Sequence, residues 1–381
     1  MRPTSKPLFV PSQIKHWRIA LTALLLTALI TGGCSTATHS SHLAYVTTSS
    51  GVNGFRVDAI SGAVTSVFSS PFVVGNSPYG IVIDPSNQFA YVANQGDNTI
   101  SLLKIDATSG TLKEILPRTN AGRSPGPMIL DANGSFLFVA NQGSNDISVF
   151  SIGSNGGLSP VTQPSGGLTV PVGSIPTTLS MPSSGNLLFV SVPAFSAVYA
   201  FTVSSGVLTP AVGSPVSVPN GLSSVAASPS GNFVYVTNPA TNTISGFSIQ
   251  ASSTQSVLQV LPGSPFPDVC GTSSGPCTSP FGAAVDPSGK YLYVANYSST
   301  GVSQFTINGS TGALTNITKT APTAGTNASF IVFDPRGTYV YVANIGSRSI
   351  TQLKLNSDGS LASTSSSIQL GGVPRAFAVT R

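Results

Sequence analysis

Apolar and polar residues alternate in short runs along nearly the whole chain beyond residue 43, and clusters rich in Gly, Pro, Asn, Asp and Ser interrupt these runs at short intervals. Alternation with a period of two is typical of β-strands, and such clusters are typical of turns. No stretch of about 10–15 residues in this part of the chain has the periodicity of an amphipathic helix. The pattern therefore predicts an all-β protein.

One repeat dominates this pattern. It consists of an Asp-Pro-x-Gly turn followed by an aromatic residue that opens a segment of the type Tyr-Val-Ala-Asn, as at 91–94 and 293–296. Seven copies of the aromatic residue lie 46 to 58 residues apart, at Tyr45, Tyr91, Phe138, Phe189, Tyr235, Tyr293 and Tyr341. A regular period of this length indicates a repeat architecture in which each copy is one supersecondary unit.

A second apolar motif follows each aromatic residue and defines the next strand. In Ile100, Leu103 and Ile105 the last two residues share one strand face, whereas the first points to the other face. Apolar residues on both faces predict a sheet that is covered on both sides. With an inner strand before the turn and a short outer strand after it, each repeat forms a four-stranded antiparallel blade, and seven such repeats predict a seven-bladed β-propeller.

The two ends of the chain predict how the propeller closes. Residues 374–380 match the first strand of a repeat, as at 77–83, whereas the repeats begin at 43–47 with a second strand. The last strand is therefore expected to complete the first blade, which removes open sheet edges. The expected domain spans residues 43–381.

The first 33 residues have a different character. Four basic residues precede an apolar run at 19–30 that ends in Thr31-Gly-Gly-Cys34, and this order is typical of a secretory signal peptide. The run is too short to cross a bilayer. Its Gly-Gly-Cys end resembles the lipobox of bacterial lipoproteins, which implies a lipidated Cys34 and a tether at 34–42; plain secretion with cleavage nearby is the alternative. We expect an exported protein of the periplasm or cell surface, as an outer-membrane lipoprotein held by its lipid alone.

The scarcity of charge narrows the classes of partner. Only 7% of the residues are Asp, Glu, Lys or Arg, against about 25% in ordinary soluble proteins. The net charge of +5 falls to +1 without residues 1–33, and no run of like charges favours nucleic acid or a membrane surface. The abundant Ser, Thr and Asn suit a carbohydrate, a small acid or a protein partner.

Cysteine and histidine restrict the chemistry further. Cys270 and Cys277 remain after the signal peptide, and in an exported protein this pair predicts a disulfide. The three histidines, His16, His39 and His42, all precede the expected propeller, so neither a metal site nor a cofactor is expected.

The innermost strands predict a candidate site at the mouth of the central channel. Alignment of the seven copies gives a ring of residues at one position: Tyr79, Gly126, Thr177, Ser223, Phe281, Ser329 and Arg375. An aromatic side chain could stack on a sugar ring while the guanidinium of Arg375 binds a carboxylate or lactone oxygen. A packed, water-filled channel is the alternative. Asp97, Asp146 and Arg123, in loops on the same face, are further candidates for ligand contact.

The repeat resembles known families. Asp-Pro-x-Gly followed by Tyr-Val-Ala-Asn and Ile-Ser-x-Phe-x-Ile is similar to the seven-bladed lactonase propellers related to 6-phosphogluconolactonase, and the segment 235–238, Tyr-Val-Thr-Asn, resembles the YVTN repeats of surface-layer propellers. The resemblance covers residues 43–381. It implies the hydrolysis of a sugar lactone or a related lactone by histidine, glutamate and arginine around the central channel.

The residues fit this implied chemistry poorly. The expected propeller lacks histidine, and its single glutamate, Glu114, is predicted to lie on an outer strand. Phosphorylated sugar lactones are also made in the cytosol, whereas this chain is expected to be exported. The sequence therefore favours a ligand- or partner-binding module outside the cytoplasm, with a lactonase as the alternative and a structural surface protein as a third hypothesis. It assigns no catalytic residue.

Overall fold

The computed structural model describes residues 41–381, apart from 219–220, 251–256, 271–276 and 318–320. These residues form β-strands and one short 3₁₀ turn, Pro193–Phe195. The strands of the first half are β1 (Ser41–Thr48), β2 (Gly51–Asp58), β3 (Val64–Ser66), β4 (Pro78–Ile83), β5 (Phe89–Asn94), β6 (Thr99–Ile105), β7 (Leu112–Asn120), β8 (Pro125–Leu130), β9 (Phe136–Asn141), β10 (Asp146–Ile152), β11 (Leu158–Pro160), β12 (Thr169–Pro171), β13 (Thr178–Ser180), β14 (Leu187–Val192) and β15 (Ala197–Ser204). Those of the second half are β16 (Val207–Pro210), β17 (Val216–Ser217), β18 (Val225–Ala227), β19 (Phe233–Asn238), β20 (Thr243–Ile249), β21 (Leu258–Val260), β22 (Phe266–Pro267), β23 (Pro280–Val285), β24 (Tyr291–Asn296), β25 (Val302–Ile307), β26 (Leu314–Asn316), β27 (Ala328–Phe333), β28 (Tyr339–Asn344), β29 (Ser349–Leu355), β30 (Leu361–Gln369) and β31 (Ala376–Val379).

These strands form seven antiparallel sheets, each with four strand positions, and the predicted seven-bladed β-propeller is confirmed. Blades 2 to 7 begin with β4, β8, β13, β18, β23 and β27 as their innermost strands. In blades 3, 4 and 5 the outermost position is divided between two short strands that both pair with the third strand.

Blade 1 contains both ends of the described chain, as predicted. Its order from the inside outwards is β31, β1, β2 and β3, with Thr47 opposite Ala376 and Ala44 opposite Val379. The hydroxyl of Thr380 also accepts a hydrogen bond of 2.8 Å from the amide of Leu43. The C-terminal strand therefore closes the ring of blades.

The propeller begins earlier than expected and contains a histidine, which corrects the sequence analysis. Ser41 and His42 pair with Asp58 and Val57, so both belong to β1 and not to a tether. The His42 imidazole is buried, with its Nε2 3.6 Å from a carboxylate oxygen of Asp334. Burial lowers the pKa of His42, although the Asp334 carboxylate opposes this shift.

The repeated aromatic residue is buried at the junction between successive blades. Desolvation raises the pKa of these tyrosines, so their hydroxyls remain neutral hydrogen-bond donors. Each hydroxyl donates to the carbonyl of a glycine in the turn between the third and fourth strands of the next blade. At 2.6–2.9 Å, the pairs are Tyr45–Gly110, Tyr91–Gly156, Tyr235–Gly312 and Tyr293–Gly359. These glycines have φ between 72° and 82°, a region that L-residues with a side chain rarely adopt.

At the junction where the repeated aromatic residue is phenylalanine, a glutamine side chain donates the hydrogen bond to the equivalent glycine carbonyl. Phe138 cannot donate a hydrogen bond, and Gln163 instead donates to the carbonyl of Gly206 at 3.2 Å. The Gln163 carbonyl oxygen accepts from the amide of Leu208 at 2.9 Å. A buried backbone carbonyl is costly to leave without a hydrogen-bond donor. Gln163 therefore replaces the missing tyrosine hydroxyl as the donor to the Gly206 carbonyl.

Cys270 and Cys277 form the predicted disulfide, with their Cα atoms 5.1 Å apart. Both residues are buried, and the Asn296 amide donates to Cys277 Sγ at 3.0 Å. The disulfide therefore packs against blade 6 at the end of β24. The loop 271–276 that it closes lies outside the described residues.

The signal peptide, the lipidation site at Cys34 and most of the expected tether also lie outside the described residues. Across the ranges given above, the structure contains no helix long and apolar enough to cross a membrane.

We predict that Tyr91→Phe will lower the free energy of unfolding by about 1–3 kcal/mol, the cost of leaving the buried Gly156 carbonyl without a donor. Tyr291→Phe is the control, because that hydroxyl makes only a long, exposed bond of 3.5 Å; it should change stability by less than about 0.5 kcal/mol. Urea denaturation of the three proteins measures both effects. Equal changes for the two variants would show that the bond between blades contributes little.

Candidate functional site

The innermost strands surround a cavity of about 610 Å³. Its lining includes six of the seven ring positions predicted from sequence: Tyr79, Thr177, Ser223, Phe281, Ser329 and Arg375. At the seventh position, Gly126, the lining consists of the next residues along β8, Pro127 and Met128, together with the side chain of Gln142. The structure thus brings the ring together, and its role in binding a ligand stays a prediction.

The wall of the cavity combines hydroxyl groups with apolar side chains and one charge. Thr178 and Ser224 add hydroxyls beside the ring, and Ile81, Leu179 and Phe377 are among the apolar lining residues. Among the described lining residues, Arg375 carries the only formal charge, and no carboxylate or imidazole is present. Such a site can bind a polyhydroxylated ligand that carries one acidic or carbonyl oxygen.

Arg375 and Tyr79 form a pair at this cavity. The central carbon of the guanidinium lies 5.6 Å from the centre of the Tyr79 ring, within the range of a cation–π interaction. Phe281 is 39% exposed, and its ring lies 5.4 Å from that of Tyr297. Tyr79 and Phe281 both belong to the cavity lining, and aromatic side chains of this kind are what a stacking site for a sugar requires.

The innermost strands that carry the ring residues are of two kinds, irregular and regular. In blades 2, 3, 6 and 7 the pairing of the innermost strand is interrupted by a bulge or similar irregularity, as between Pro78 and Ile81 or between Pro280 and Gly282. A bulge turns the local side chains away from regular alternation. Tyr79 and Phe281, the two aromatic members of the ring, both lie at such irregularities.

In blades 1, 4 and 5 the innermost strand is regular, and a hydroxyl residue of the second strand supports it. These residues are Thr47, Ser191 and Thr237, at the position where the irregular blades have alanine. The hydroxyl accepts a hydrogen bond of 3.0 Å from the backbone amide that follows the ring residue. The residue at this repeat position distinguishes the two kinds of blade in the sequence, since it is alanine in one kind and Thr or Ser in the other. The sequence does not show, however, that the hydroxyl bonds to the innermost strand.

The three loop candidates lie outside the cavity lining and bond to residues of their own or a neighbouring loop. Asp97 accepts two hydrogen bonds of 2.7 Å from Asn76, which lower the pKa of Asp97. Asp146 accepts from the Asn141 amide at 2.7 Å, and Arg123 donates to the Gly143 carbonyl at 2.9 Å. Each group thus has a structural partner in this structure.

Glu114 lies on β7, the outermost strand of blade 2, as predicted. Its carboxylate accepts hydrogen bonds from Arg118 at 2.8 Å and from the hydroxyl of Ser101. Burial opposes the ionisation of Glu114, but these two hydrogen bonds outweigh burial and hold its pKa below the usual range. Glu114 is therefore a paired structural anion at the rim of the propeller.

One acidic group does have a strongly raised pKa, and it also lies outside the cavity lining. Asp268 directly follows β22 and is 5% exposed. Its two carboxylate oxygens lack partners at ordinary hydrogen-bond geometry, although the nearby Ser303 hydroxyl partly offsets the effect of burial. Burial raises the pKa of Asp268 to about 6. Among the described residues no cluster of three or more His, Cys, Asp or Glu is arranged to hold a metal ion.

The fold is a seven-bladed propeller whose innermost strands line a cavity of about 610 Å³. The model of the seven-bladed β-propeller lactonase family matches residues 38–174 and 196–327. The chain therefore belongs to this lactonase family.

Solved structures with the same fold share little sequence with this chain. A periplasmic gluconolactonase of Pseudomonas aeruginosa is 20% identical, and the match covers 90% of this chain and 99% of that chain with a TM-score of 0.73. A candidate 6-phosphogluconolactonase of Bacteroides fragilis is 19% identical, with 91% and 99% covered and a TM-score of 0.75. At this identity the likeness establishes the fold alone. No curated protein matches the chain.

The raised pKa of Asp268 predicts a pH-dependent stability. Because its folded-state pKa of about 6 lies above the ordinary value of 3.8, the group stabilises the fold while protonated, and this contribution is lost as the pH rises through about 6. Asp268→Asn should therefore raise the melting temperature near pH 8 and change it much less near pH 4. Asp106→Asn, in an exposed turn, is the control and should show no such gain. A lower melting temperature for Asp268→Asn at about pH 8 would contradict the assignment.

Proposed function

We propose that this protein is a lactonase that binds a sugar lactone or a related lactone at the channel mouth and hydrolyses it there. The observation that carries the proposal is the cavity ring, whose lining brings together one arginine, three hydroxyl residues and two aromatic residues. Membership of the lactonase family supports the reaction class, and the names of the Pseudomonas and Bacteroides proteins support a lactone of a sugar acid. Together they favour the lactonase over the pure binding module that the sequence alone favoured.

Hydrolysis of a lactone requires a water molecule or hydroxide and a cationic or hydrogen-bonding group beside the carbonyl oxygen. A hydroxide ion, or a water molecule that gives one proton to a second water, adds to the lactone carbonyl, and the carbonyl oxygen becomes an oxyanion. The ring C–O bond then breaks, and the alkoxide that leaves takes the proton of the new carboxylic acid, so the products are a carboxylate and a free hydroxyl. Arg375 is placed to stabilise the oxyanion and then the carboxylate, because a guanidinium forms charge-assisted hydrogen bonds with both. The hydroxyl of Ser223 is placed for a sugar hydroxyl, whereas that of Thr177 already bonds to the Ser191 hydroxyl at 2.8 Å and to the Ser223 carbonyl at 3.2 Å. Tyr79 and Phe281 are placed for the ring face of the sugar.

No described lining residue can act as a carboxylate or imidazole base. In this proposal the protein supplies orientation and electrostatic stabilisation, and hydroxide or unassisted water supplies the nucleophile. Stabilisation of the oxyanion lowers the barrier to this addition even without a protein base. The same lack of a base supports a second candidate function, in which the propeller binds a sugar acid or another polar partner without turnover.

The place of action is a further part of the proposal. The basic and apolar order of residues 1–33 and the following Cys34 support export and lipidation. We propose an outer-membrane lipoprotein of the periplasm or cell surface. The YVTN-like segment 235–238 is in keeping with a surface location.

Arg375→Ala tests the binding site. We predict that the affinity for D-gluconate, the stable product of lactone opening, falls about 10- to 100-fold, since a charge-assisted hydrogen bond contributes about 1.5–3 kcal/mol. Isothermal titration calorimetry measures the affinity, and Arg123→Ala, whose guanidinium bonds to the Gly143 carbonyl outside the cavity lining, should retain it. Unchanged affinity together with a much lower melting temperature would show that Arg375 stabilises the last strand and does not bind the ligand.

The pH profile tests the reaction. We predict that kcat/KM for D-glucono-1,5-lactone, corrected for spontaneous opening, rises from about pH 5 to pH 8 without a titration step, because no described carboxylate or imidazole faces the substrate. A step near a pKa of about 4–7 would require such a base and would contradict this mechanism. Binding without hydrolysis would favour the second candidate function.

A further inference from the structure

We propose that Thr47 is the positioning residue of the site: its hydroxyl joins the backbones that carry Arg375 and Tyr79 and so sets the direction of the guanidinium. This inference rests on the proposed function, in which Arg375 is the contact for an anionic oxygen. Thr47 lies on β1, in the second-strand position of blade 1, and is fully buried. It does not belong to the cavity lining, so it acts on a ligand only through its neighbours.

Three hydrogen bonds connect Thr47 to the two chain segments that carry these ring residues. The backbone carbonyl of Thr47 accepts a hydrogen bond of 2.9 Å from the amide of Arg375. Its hydroxyl accepts a hydrogen bond of 3.0 Å from the amide of Ala376, the next residue of β31. The same hydroxyl donates to the carbonyl oxygen of Tyr79 on β4, at 2.5 Å.

The hydroxyl of Thr47 connects two blades because it acts as a hydrogen-bond acceptor towards one and as a donor towards the other. β31 belongs to blade 1 and β4 to blade 2, so Thr47 fixes the separation of the two strands at the level of the ring. The cation–π distance of 5.6 Å between Arg375 and Tyr79 depends on that separation. Arg375 is solvent-exposed and has several rotatable bonds, so a fixed backbone and a fixed ring face are the main restraints on where its charge points.

Thr237 provides an internal comparison because it makes the same bonds in blade 5. Its hydroxyl accepts from the amide of Ser224 at 3.0 Å and donates to the carbonyl of Phe281 at 2.7 Å. The two ring residues that it joins, Ser223 and Phe281, carry no charge. Loss of either threonine hydroxyl should therefore have a similar effect on stability, but only Thr47 is linked to the recognition of an anion.

The test compares a charged ligand with its neutral match. D-gluconate and D-gluconamide differ in the replacement of the carboxylate by an amide, and calorimetry gives the ratio of their affinities for wild type, Thr47→Val, Thr47→Ser and Thr237→Val. We expect Thr47→Val to reduce the preference for gluconate about tenfold, Thr47→Ser to restore most of it, and Thr237→Val to change it less than about twofold. An unchanged preference in Thr47→Val, or an equal loss in Thr237→Val, would overturn the proposal.

A second measurement does not depend on any ligand. Hydrogen exchange of the Ala376 amide should be at least tenfold faster in Thr47→Val than in wild type and close to wild type in Thr47→Ser; equal rates in all three would overturn the proposed link. If Thr47→Val does not fold, Thr47→Ala replaces it, since alanine occupies this position in four other blades. If wild type binds neither ligand, the proposed function fails, and the exchange rates alone decide whether Thr47 holds the strand.

Discussion

A buried tyrosine hydroxyl that donates to a buried glycine carbonyl of the next blade is the contact on which the propeller depends. Within the described residues, four of the seven junctions have this bond, from Tyr45, Tyr91, Tyr235 and Tyr293, and Gln163 donates to the equivalent glycine after Phe138. Apolar burial holds the blades together but has no preferred direction. The hydrogen bond supplies direction, because an unpaired carbonyl at this depth is costly, and at these junctions the two blades therefore meet in one register.

The way the chain uses its few charges follows from this packing. Glu114 and Asp97 both form ion pairs with Arg118 in blade 2. In the repeated turns, carboxylates such as that of Asp286 accept hydrogen bonds from backbone amides. These groups stabilise loops and edges. Arg375 differs because it faces a cavity whose described lining has no carboxylate, so its charge is available to a ligand. A single exposed cation in an otherwise uncharged cavity is the electrostatic basis of the proposed function.

Family membership and cavity chemistry constrain the function in different ways. Membership favours hydrolysis of a lactone, whereas the lack of a carboxylate or imidazole in the described lining limits how water can be activated. A mechanism based on stabilisation of the oxyanion is consistent with both. It also explains why the backbone support of Arg375 matters, since electrostatic stabilisation depends on donors that are oriented before the reaction.

The sequence by itself determined the number of blades, their four-stranded composition, the closure by the last strand and six of the residues that line the cavity. These features depend on strand periodicity and turn residues, which are local and repeat seven times. Only the tertiary structure decided that His42 belongs to β1, that Asp97, Asp146 and Arg123 find partners outside the cavity lining, and that Thr47 bonds to the backbone of Arg375. The contact between Thr47 and Ala376 joins residues 329 positions apart. It exists only once the ring of blades has closed, and no local pattern encodes which side chains meet across that closure.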